Sequence, residues 1–395
     1  MITCRPVQIP GGHFFGVGMS QTFDVAIIGG GIAGFSLAHF LSPHQKVLIL
    51  EQEDAFGYHA TARSAAEFAF RFHTPLVGKL ATLSFPFLSN PPHGFTSVPL
   101  LHERGMILIA AQEKQARLDE LFETESANTD RIRRMSHAEV LNRAPILNPE
   151  FFASAFFDPD CWDIDADALF QGFRKSASAS GAIACSKSGV ISAERKVGQW
   201  QIETQAGRFE TAVVVNASGA WADQTAELFG AAPLGHLPLN RTMITVGLPD
   251  GLDWKSMPEV QEVDEDFYMK PDAGRLLLSP ADETESAPCD AQPDELGIAW
   301  AMHWLTEATT LNATRPASAW AGLRTFTPDR APVVGFDQAV DGFFWLTGQG
   351  GFGIQTSPAL GELAANLVLG RGVPDHIERQ GVSARILTPE RFHPV

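Results

Sequence analysis

The sequence predicts an α/β fold in which one domain of strands and helices is discontinuous along the chain, and a second, α+β domain is built from the insertions. Two observations support this prediction. Three segments far apart in the sequence share one design, in which a strand ends in small residues and runs into a helix. The stretches between them, about 85–150 and 233–318, mix strand and helix patterns and supply the second domain.

The first segment is "FDVAIIGGGIAGFSLAHFL", residues 23–41. An apolar strand over 23–28 meets three glycines, a helix follows over 32–41, and "KVLIL" over 46–50 forms a second strand. A strand–helix–strand unit of about thirty residues is parallel and right-handed by default. The segment therefore predicts the opening of a Rossmann-type domain.

The other two segments lie later in the chain. Residues 189–221, "GVISAERKVGQWQIETQAGRFETAVVVNASGAW", alternate short strands with turns and predict a β-meander that returns to the sheet. Residues 342–370, "GFFWLTGQGGFGIQTSPALGELAANLVLG", predict a strand, a glycine-rich turn and a helix. Pro358 is expected in the first turn of that helix, and Gly370 at its end.

The three glycines Gly29, Gly31 and Gly34 fit the pattern G-x-G-x-x-G. The first permits a tight turn, the second lets the backbone approach a pyrophosphate, and the third lets helix and strand pack closely. The diphosphate would bind free N–H groups at the helix N-terminus. Glu51 stands where a ribose 2′-OH acceptor is expected, which argues against NADP and leaves both NAD and FAD open.

Composition narrows the function classes. The formal net charge of -17 argues against nucleic acid as a partner, because phosphate binding needs a basic surface. No apolar run in the sequence approaches the ~18 residues of a membrane-spanning helix. The 4 cysteines lack CxxC or CxxH spacing and the 12 histidines lack HxH or HExxH pairing, so we predict no metal site and a cytoplasmic location.

Further motifs follow along the chain: "GYHATARSAA", "DIDADAL", "NASGAWAD", "FYMKPDAG", "EATTL", "WAGLR" and "GQGGFGIQT". On these motifs the sequence resembles the FAD-dependent D-amino acid oxidase superfamily, in the branch of sarcosine oxidase, glycine oxidase and bacterial D-amino acid dehydrogenases. Within it, the bacterial FAD-dependent D-arginine dehydrogenases are the most similar. The resemblance runs from about residue 23 to the C-terminus. It implies a glutathione-reductase-type FAD-binding Rossmann domain and an α+β substrate domain on a mixed or antiparallel sheet.

The resemblance also implies that FAD is bound noncovalently, with His59 as the alternative of a covalent anchor. The FAD-binding domain is predicted to comprise 22–84, 151–232 and 319–375, and the substrate domain 85–150 and 233–318. Residues 376–395 form a C-terminal tail. Residues 1–21 are expected to be a disordered extension, with Met1 and Met19 both possible starts, because the folded pattern begins near residue 23.

The resemblance implies which residues contact the cofactor. Small residues at 64–66 would lie along the flavin, and Val190 would contact the adenine through its backbone. The turn at 350–353 would aim N–H groups at the negative charge of reduced flavin. The predicted cofactor-binding residues are Gly29, Gly31, Ile32, Ala33, Gly34, Glu51, Gln52, His59, Arg63, Ser64, Ala65, Ala66, Val190, Ser218, Gly219, Trp221, Gly322, Arg324, Gly350, Gly351, Phe352, Gly353, Ile354 and Gln355.

On the substrate side, members of this superfamily oxidise an amine next to a carboxylate. Such a reaction needs the Cα–H placed over the flavin and the carboxylate fixed, for which a planar guanidinium is the best cation. Arg241 and Arg324 match the pair of arginines that binds the carboxylate, and Tyr268 matches a tyrosine that contacts it. Gly351 is predicted to border the substrate.

The sequence departs from the D-arginine dehydrogenases at the substrate pocket. Glu67 replaces a histidine near the reacting amine, and Phe72 replaces a tyrosine. The glutamate that receives the guanidinium falls near Gly105, so this anionic partner is missing. Glu259 and Gln261 replace apolar pocket residues. Either Glu67 or Glu259 binds a cationic or hydroxylated substrate from another direction, or the strand faces solvent and these two acids are merely exposed.

The sequence therefore predicts an FAD enzyme that takes hydride from the α-carbon of a D-amino acid, with Arg241, Tyr268, Arg324 and Glu67 as catalytic residues. Its partners are the amino acid and an electron acceptor, either a quinone or dioxygen. The resemblance favours a dehydrogenase, because sarcosine oxidase-like relatives place a lysine above the flavin to activate dioxygen and the corresponding segment here, "GRLLLSP" at 274–280, has none. The alternatives are oxidation of a secondary amine such as sarcosine, and a flavin-retaining binding protein without activity.

Overall fold

The computed structural model describes residues 21–127 and 129–392. Apart from residue 21, the extension predicted for residues 1–21 lies outside the described residues, as do the last three residues of the predicted tail. The strands are β1 Gln21–Ile28, β2 Val47–Leu50, β3 Glu67–Ala69, β4 Leu101–Glu103, β5 Met106–Ala110, β6 Arg133–Met135, β7 Ser154–Asp158, β8 Cys161–Ile164, β9 Ile183–Cys185, β10 Val190–Lys196, β11 Gln199–Thr204, β12 Gly207–Asn216, β13 Leu237–Gly247, β14 Glu259–Glu262, β15 Tyr268–Asp272, β16 Arg275–Ser279, β17 Thr284–Glu285, β18 Ser318–Phe326, β19 Val333–Phe336 and β20 Phe343–Thr347.

The helices connect these strands and cover the sheets. They are α1 Ile32–Leu41, α2 Pro75–Ser89, α3 Gln115–Ser126, α4 His137–Arg143, α5 Ala166–Ala179, α6 Ala222–Leu228, α7 Glu295–Ala308, α8 Gly353–Val368, α9 Asp375–Arg379 and α10 Ala384–Leu387. Short 3₁₀ turns occupy Ala60–Arg63, Gln112–Lys114, Gly219–Trp221 and Pro389–Phe392. Within the described part of the chain, no helix has the length and apolar character to cross a membrane.

The first sheet carries the predicted Rossmann unit. Strands β9, β2, β1, β12 and β20 pair with one another in this order and in parallel. Strands β10, β11 and β12 form the predicted antiparallel meander, and β19 pairs with β20 in antiparallel fashion. Strand β2 is buried on both faces, as is usual for a parallel strand covered by helices. Helix α1 begins and ends where the sequence predicts, and its burial against α5 and α8 leaves few exposed positions.

Helix α8 corrects one detail of the sequence analysis. Pro358 lies inside this helix and not in its first turn, because the helix already begins at Gly353. The missing N–H of the proline leaves the carbonyl of Ile354 without its helical donor, and the Ser357 hydroxyl donates to that carbonyl instead at 2.9 Å. Gly370, with φ +69°, follows the helix end as predicted.

The second sheet has the mixed pattern predicted for the substrate domain. Its main path runs β17, β13, β16, β15, β14, β5, β7 and β6, and β18 pairs with β13. The β5–β14 pair is parallel, whereas the other pairs are antiparallel. Strands β3, β8 and β4 form a third, antiparallel sheet. Along the chain, β4 directly precedes β5 and β8 directly follows β7, so the two sheets are connected by short loops. The domain boundaries given above remain a prediction.

Candidate active site

A long cavity lies between the carboxyl ends of the parallel strands and the second sheet. Its walls come from the glycine loop after β1, the 57–65 segment, the loop after β12, strands β13, β15 and β18, and the turn before α8. The predicted cofactor residues that line it are Gly29, Gly31, Ile32, Ala33, Glu51, Gln52, His59, Arg63, Ser64, Ala65, Val190, Ser218, Gly219, Trp221, Gly322, Arg324, Gly350, Gly351, Gly353 and Ile354.

Four predicted cofactor residues are not among those that line the cavity: Gly34, Ala66, Phe352 and Gln355. Gln355 is buried, and its side-chain amide carbonyl accepts the N–H of Ala69 at 3.1 Å. Gly34 is a packing residue, since a Cβ there would lie 2.1 Å from the carbonyl oxygen of Gly29. The cofactor roles of all these residues remain predictions.

The glycine loop has the geometry of a dinucleotide cradle. Gly29 has φ +112°, and a Cβ there would lie 2.3 Å from the carbonyl oxygen of Ala217. Both observations require glycine. Gly31, the residue before helix α1, has no side chain that could cap it. The N–H of Ile32 donates instead to the Thr61 hydroxyl at 3.0 Å. Thr61, which the sequence analysis missed, therefore occupies one of the N–H groups expected to face the diphosphate.

Glu51 lies at the end of β2 and is buried at the cavity wall. Its Oε2 accepts the N–H of Gly30 at 2.7 Å, and its Oε1 accepts the N–H of Glu53 at 3.0 Å. Burial raises the pKa of Glu51, while these two hydrogen bonds lower it in part. A carboxylate has about four lone-pair positions, so Glu51 can also accept hydroxyl groups of a ribose in the cavity.

The 57–65 segment joins the two sheets at the cavity. The Arg63 guanidinium donates to the carbonyl oxygens of Ala291 and Ala321, at 2.8 and 3.0 Å, and pairs with Asp290 at 2.5 Å. His59 contacts the Trp221 ring, with 4.5 Å between ring centroids. Because the Arg63 guanidinium is already engaged by protein groups, its contact with a cofactor would be made by the side-chain stem.

The turn before α8 forms the opposite wall. Helix α8 has no side-chain cap at its N-terminus, and its first two residues, Gly353 and Ile354, line the cavity. The first N–H groups of a helix have no partner within it and are therefore open to a ligand. Gly351 is required by packing, since a Cβ there would lie 2.8 Å from the Arg324 guanidinium carbon. The positive end of a sixteen-residue helix therefore lies next to an arginine.

Arg241, Arg324 and Tyr268 come together at one end of the cavity, as the sequence predicts. Arg324 donates to the Tyr268 hydroxyl at 3.3 Å. Arg241 is buried, donates to the carbonyl oxygen of Asp282 at 2.9 Å and approaches Glu283 at 3.3 Å. Burial lowers the pKa of Arg241, and the charge of Arg324 lowers it further. The pair is thus a concentrated positive charge that a carboxylate ligand would relieve.

Phe72, Glu67, Glu259 and Gln261 are not among the cavity-lining residues. Phe72 packs against Phe156, with 6.0 Å between ring centroids. The expectation that the acids lie on a solvent-facing strand is wrong, because Glu259 is 1% exposed and Glu67 and Gln261 are partly buried. The second sheet and the small β3–β8–β4 sheet enclose Glu259 and Glu67 between them.

Sequence reasoning missed two titratable residues near the cavity, a buried lysine and a partly buried histidine. Lys270 is 4% exposed, and its ammonium group donates to Asp163 at 2.7 Å. The segment 274–280, in which no lysine occurs, forms the largely buried strand β16, whereas Lys270 lies on the preceding strand β15. His73 contacts the Phe352 ring, and burial lowers its pKa to about 4. The sequence signal that could have identified Lys270 is its position two residues after Tyr268, which places both residues on the same face of β15.

The sequence analysis predicted no metal site, yet among the described residues one group of side chains has ligand atoms close enough together to hold an ion. The carboxyl groups of Glu67 and Glu259 and the thiol of Cys161 lie within 4.8 Å of one another. Cys161 is buried, whereas Cys289 is exposed and lines the cavity. The positive charge of Lys270 beside the two carboxyl groups disfavours a cation there.

Fold and cavity together define a dinucleotide-binding protein in which the second sheet forms one wall of the cavity. A family model described as FAD dependent oxidoreductase, DAO, matches residues 24–367, and the chain belongs to this family. Glycine oxidase of Geobacillus kaustophilus is 26% identical over 89% of this chain and 94% of its own length. FAD-dependent oxidoreductase domain-containing protein 1 of Bos taurus is also 26% identical, over 88% of this chain and 81% of its own length.

Solved structures have the same fold. The crystal structure of the G. kaustophilus glycine oxidase has a TM-score of 0.76 at 24% identity and covers 90% of this chain and 96% of its own. L-proline dehydrogenase from P. horikoshii has a TM-score of 0.81 at 19% identity, with 95% and 99% covered. The predicted fold class and the predicted FAD are therefore confirmed. The cavity fits this cofactor, because its lining combines Glu51, the first residues of helices α1 and α8, and the arginine pair Arg241 and Arg324.

Proposed function

We propose that this protein uses FAD to oxidise the α-carbon–nitrogen bond of a D-amino acid, giving an imino acid that hydrolyses to a 2-oxo acid and ammonia. The observation that carries the proposal is the arginine pair with Tyr268. Among the described residues no carboxylate forms an ion pair with Arg324, and the hydrogen bond of its guanidinium goes to the tyrosine hydroxyl. A partly buried cation without an anionic partner is suited to an anionic ligand.

FAD, when bound, supplies the acceptor for the hydride that leaves the α-carbon. The residues of this chain orient the substrate. Arg324 and Tyr268 would hold one carboxylate between a guanidinium and a hydroxyl, and Arg241 would add the second positive charge. Fixing the carboxylate also fixes the position of the α-carbon, since the two carbons are bonded, and the remaining freedom of the Cα–H is a rotation about that one bond.

The similarity to glycine oxidase supports an amino acid as the substrate class. The D configuration rests on the resemblance of the "GYHATARSAA" and "FYMKPDAG" segments to the D-amino acid dehydrogenases. We also propose a dehydrogenase in preference to an oxidase. Lys270 is the cation nearest in sequence to the substrate-binding Tyr268, and its ion pair with Asp163 offsets the positive charge that would attract a reduced oxygen species.

The test is anaerobic mixing of the FAD-loaded protein with a panel of glycine, sarcosine and the D- and L-forms of common amino acids. Bleaching of the flavin absorbance by D-amino acids and not by their L-forms is the expected result. Faster bleaching by sarcosine would establish a secondary-amine enzyme instead, and no bleaching by any amine would favour a flavin-retaining binding protein.

The same mixtures, opened to air, test the acceptor. A dehydrogenase recovers its flavin colour slowly in air and rapidly with a soluble quinone analogue, and this is the result we expect. Immediate recovery in air, with hydrogen peroxide formed, would contradict the proposed dehydrogenase.

A further inference from the structure

The chain between strand β17 and helix α7 forms an outer wall of the cavity, and we refer to its residues 287–293 as the strap. Two strap residues, Cys289 and Ala291, line the cavity. The other side of the strap is open to solvent, since Ala291 is the one buried residue among the strap residues, all of which the structure describes. A segment with the cavity on one side and water on the other is a single layer of chain, so moving it would open the cavity.

Few contacts attach the strap to the rest of the protein. It contains no helical or strand residue along its described length. Within the described part of the chain, every hydrogen bond that joins the strap to a residue distant in sequence comes from Tyr58 or Arg63. Its apolar attachment is the side chain of Ala291, which packs with Ala220 and Leu323. The strap is therefore held mainly by two side chains of the 57–65 segment.

Asp290 is the point at which these two side chains hold the strap. Its carboxylate accepts from the Arg63 guanidinium at 2.5 Å and from the Tyr58 hydroxyl at 3.2 Å. The same guanidinium donates to the carbonyl oxygen of Ala291 at 2.8 Å and lies over the Tyr58 ring, 5.2 Å from its centroid. The hydrogen bond from Arg63 lowers the pKa of Asp290, so its carboxylate is charged at neutral pH. We refer to Asp290, Arg63 and Tyr58 as the latch.

The other walls of the cavity are attached far more extensively. Strand β18 pairs with β13 over its whole length, Ser318–Phe326. The turn before α8 follows β20, a strand that is buried throughout. Local opening of a protein takes place where buried apolar contacts and backbone hydrogen bonds are fewest. Among the described walls of the cavity, the strap is therefore the one that opens first.

A cofactor held between two sheets enters and leaves only when a wall of its site opens. We infer that the strap is the gate through which FAD is exchanged, and that the latch of Asp290, Arg63 and Tyr58 keeps this gate closed. The latch joins two parts of the chain more than two hundred residues apart, one after the glycine loop and one after β17. This inference concerns the cofactor, so it goes beyond the proposed function and does not depend on which amine is oxidised.

The rate constants of FAD binding and release test the gate. Protein loaded with radiolabelled FAD is mixed with an excess of unlabelled FAD, and the loss of bound label gives the rate constant of release. The change in flavin fluorescence on mixing FAD with the FAD-free protein gives the rate constant of binding. Asp290→Asn should raise both about fivefold, which is the effect of one partly exposed ion pair. The Kd of FAD should stay within about twofold, because an open strap speeds entry and exit alike.

The choice of Asp290 separates the latch from the FAD contacts. Asp290 is not among the cavity-lining residues, and Arg63 stays attached through the carbonyl oxygens of Ala291 and Ala321 when the carboxylate is lost. Glu285→Gln is the matched control and should change neither rate constant, because Glu285 is an exposed acid of the same connection and forms no ion pair with another described residue. A second variant, Tyr58→Phe, removes the other donor to Asp290 and should raise both rate constants by a smaller factor.

The relation between the two rate constants distinguishes a gate from a static contact. If Asp290→Asn raises the release rate alone and weakens the Kd in proportion, Asp290 stabilises the loaded site and the gate is overturned. Rate constants that match those of the Glu285→Gln control would overturn it as well.

Salt provides a readout that a purely steric role of Asp290 would not change. Because salt screens partly exposed charges, the ratio of the release rates of Asp290→Asn and wild type should fall between low salt and about 1 M salt. Effects of salt on FAD itself are common to both proteins and cancel in this ratio. A ratio that stays constant would overturn the assignment of the closed state to the ion pair.

Discussion

Replacing Arg324 by methionine tests the substrate site most directly. Methionine keeps an unbranched stem of similar reach against Gly351 and removes the guanidinium. Arg324 is half-buried, lies in strand β18, and hydrogen-bonds to Tyr268 and not to any carboxylate of the described chain. The fold therefore loses one weak contact of 3.3 Å, whereas a bound carboxylate loses its principal cation. We expect normal folding and normal FAD content.

The size of the effect follows from the contacts that are lost. A hydrogen bond to a charged group contributes about 1.5–3 kcal/mol, and a guanidinium that binds a carboxylate through two N–H groups contributes two of them. Arg241 remains and compensates in part, so we take the lower end, about 3 kcal/mol, or roughly a 150-fold increase in Kd. Because the carboxylate also positions the α-carbon, the maximal rate of flavin reduction should fall as well.

Anaerobic stopped-flow measurement of flavin bleaching against amino acid concentration gives the Kd and the maximal rate separately. Arg208→Met is the matched control, because Arg208 is an exposed residue of the meander that pairs with Glu203 at 3.4 Å. A Kd in Arg324→Met within threefold of the control, with FAD fully bound, would refute the assignment of the carboxylate to Arg324.

Three further predictions concern the fold, the ion pairs and the cofactor. Gly29→Ala should abolish FAD binding and lower the melting temperature by more than Gly181→Ala, because a Cβ at Gly29 meets backbone at 2.3 Å whereas one at Gly181 meets nothing within 4 Å; equal effects would show that the positive φ alone matters. Asp163→Asn should lower the free energy of unfolding by about 3 kcal/mol at neutral pH, since it leaves a buried lysine unpaired. Burial raises the pKa of Asp163, but its lysine and arginine partners lower it by more, so the pKa in the folded protein lies below its usual value. The difference in free energy of unfolding between wild type and variant, measured by urea unfolding, should therefore be complete above about pH 4 and shrink as the pH falls through the lowered pKa. Cys289 should react with a maleimide in the FAD-free protein and be protected by FAD, while the buried Cys161 stays unlabelled in both, as mapped by peptide mass spectrometry.

The amino-acid sequence by itself determined the nucleotide half of the molecule. The β1–α1 boundary was predictable because an apolar strand ends at a glycine pattern whose third member, Gly34, packs directly against the backbone of Gly29, although the clash that also requires Gly29 is with the distant Ala217. The end of α8 at Gly370 followed from the same kind of local rule. Motif resemblance then supplied Arg241, Arg324 and Tyr268, which the fold brings together.

The tertiary structure decided what no local pattern contains. Strand β14 is buried on both faces, so the polar residues at 259–262 do not mark a solvent-facing edge, and alternation along the strand could not reveal this. The approach of Glu259 to Glu67, nearly two hundred residues away, depends on how the second sheet meets the small sheet. Whether a buried acid is charged depends in turn on the donors and cations around it, and packing alone supplies those neighbours.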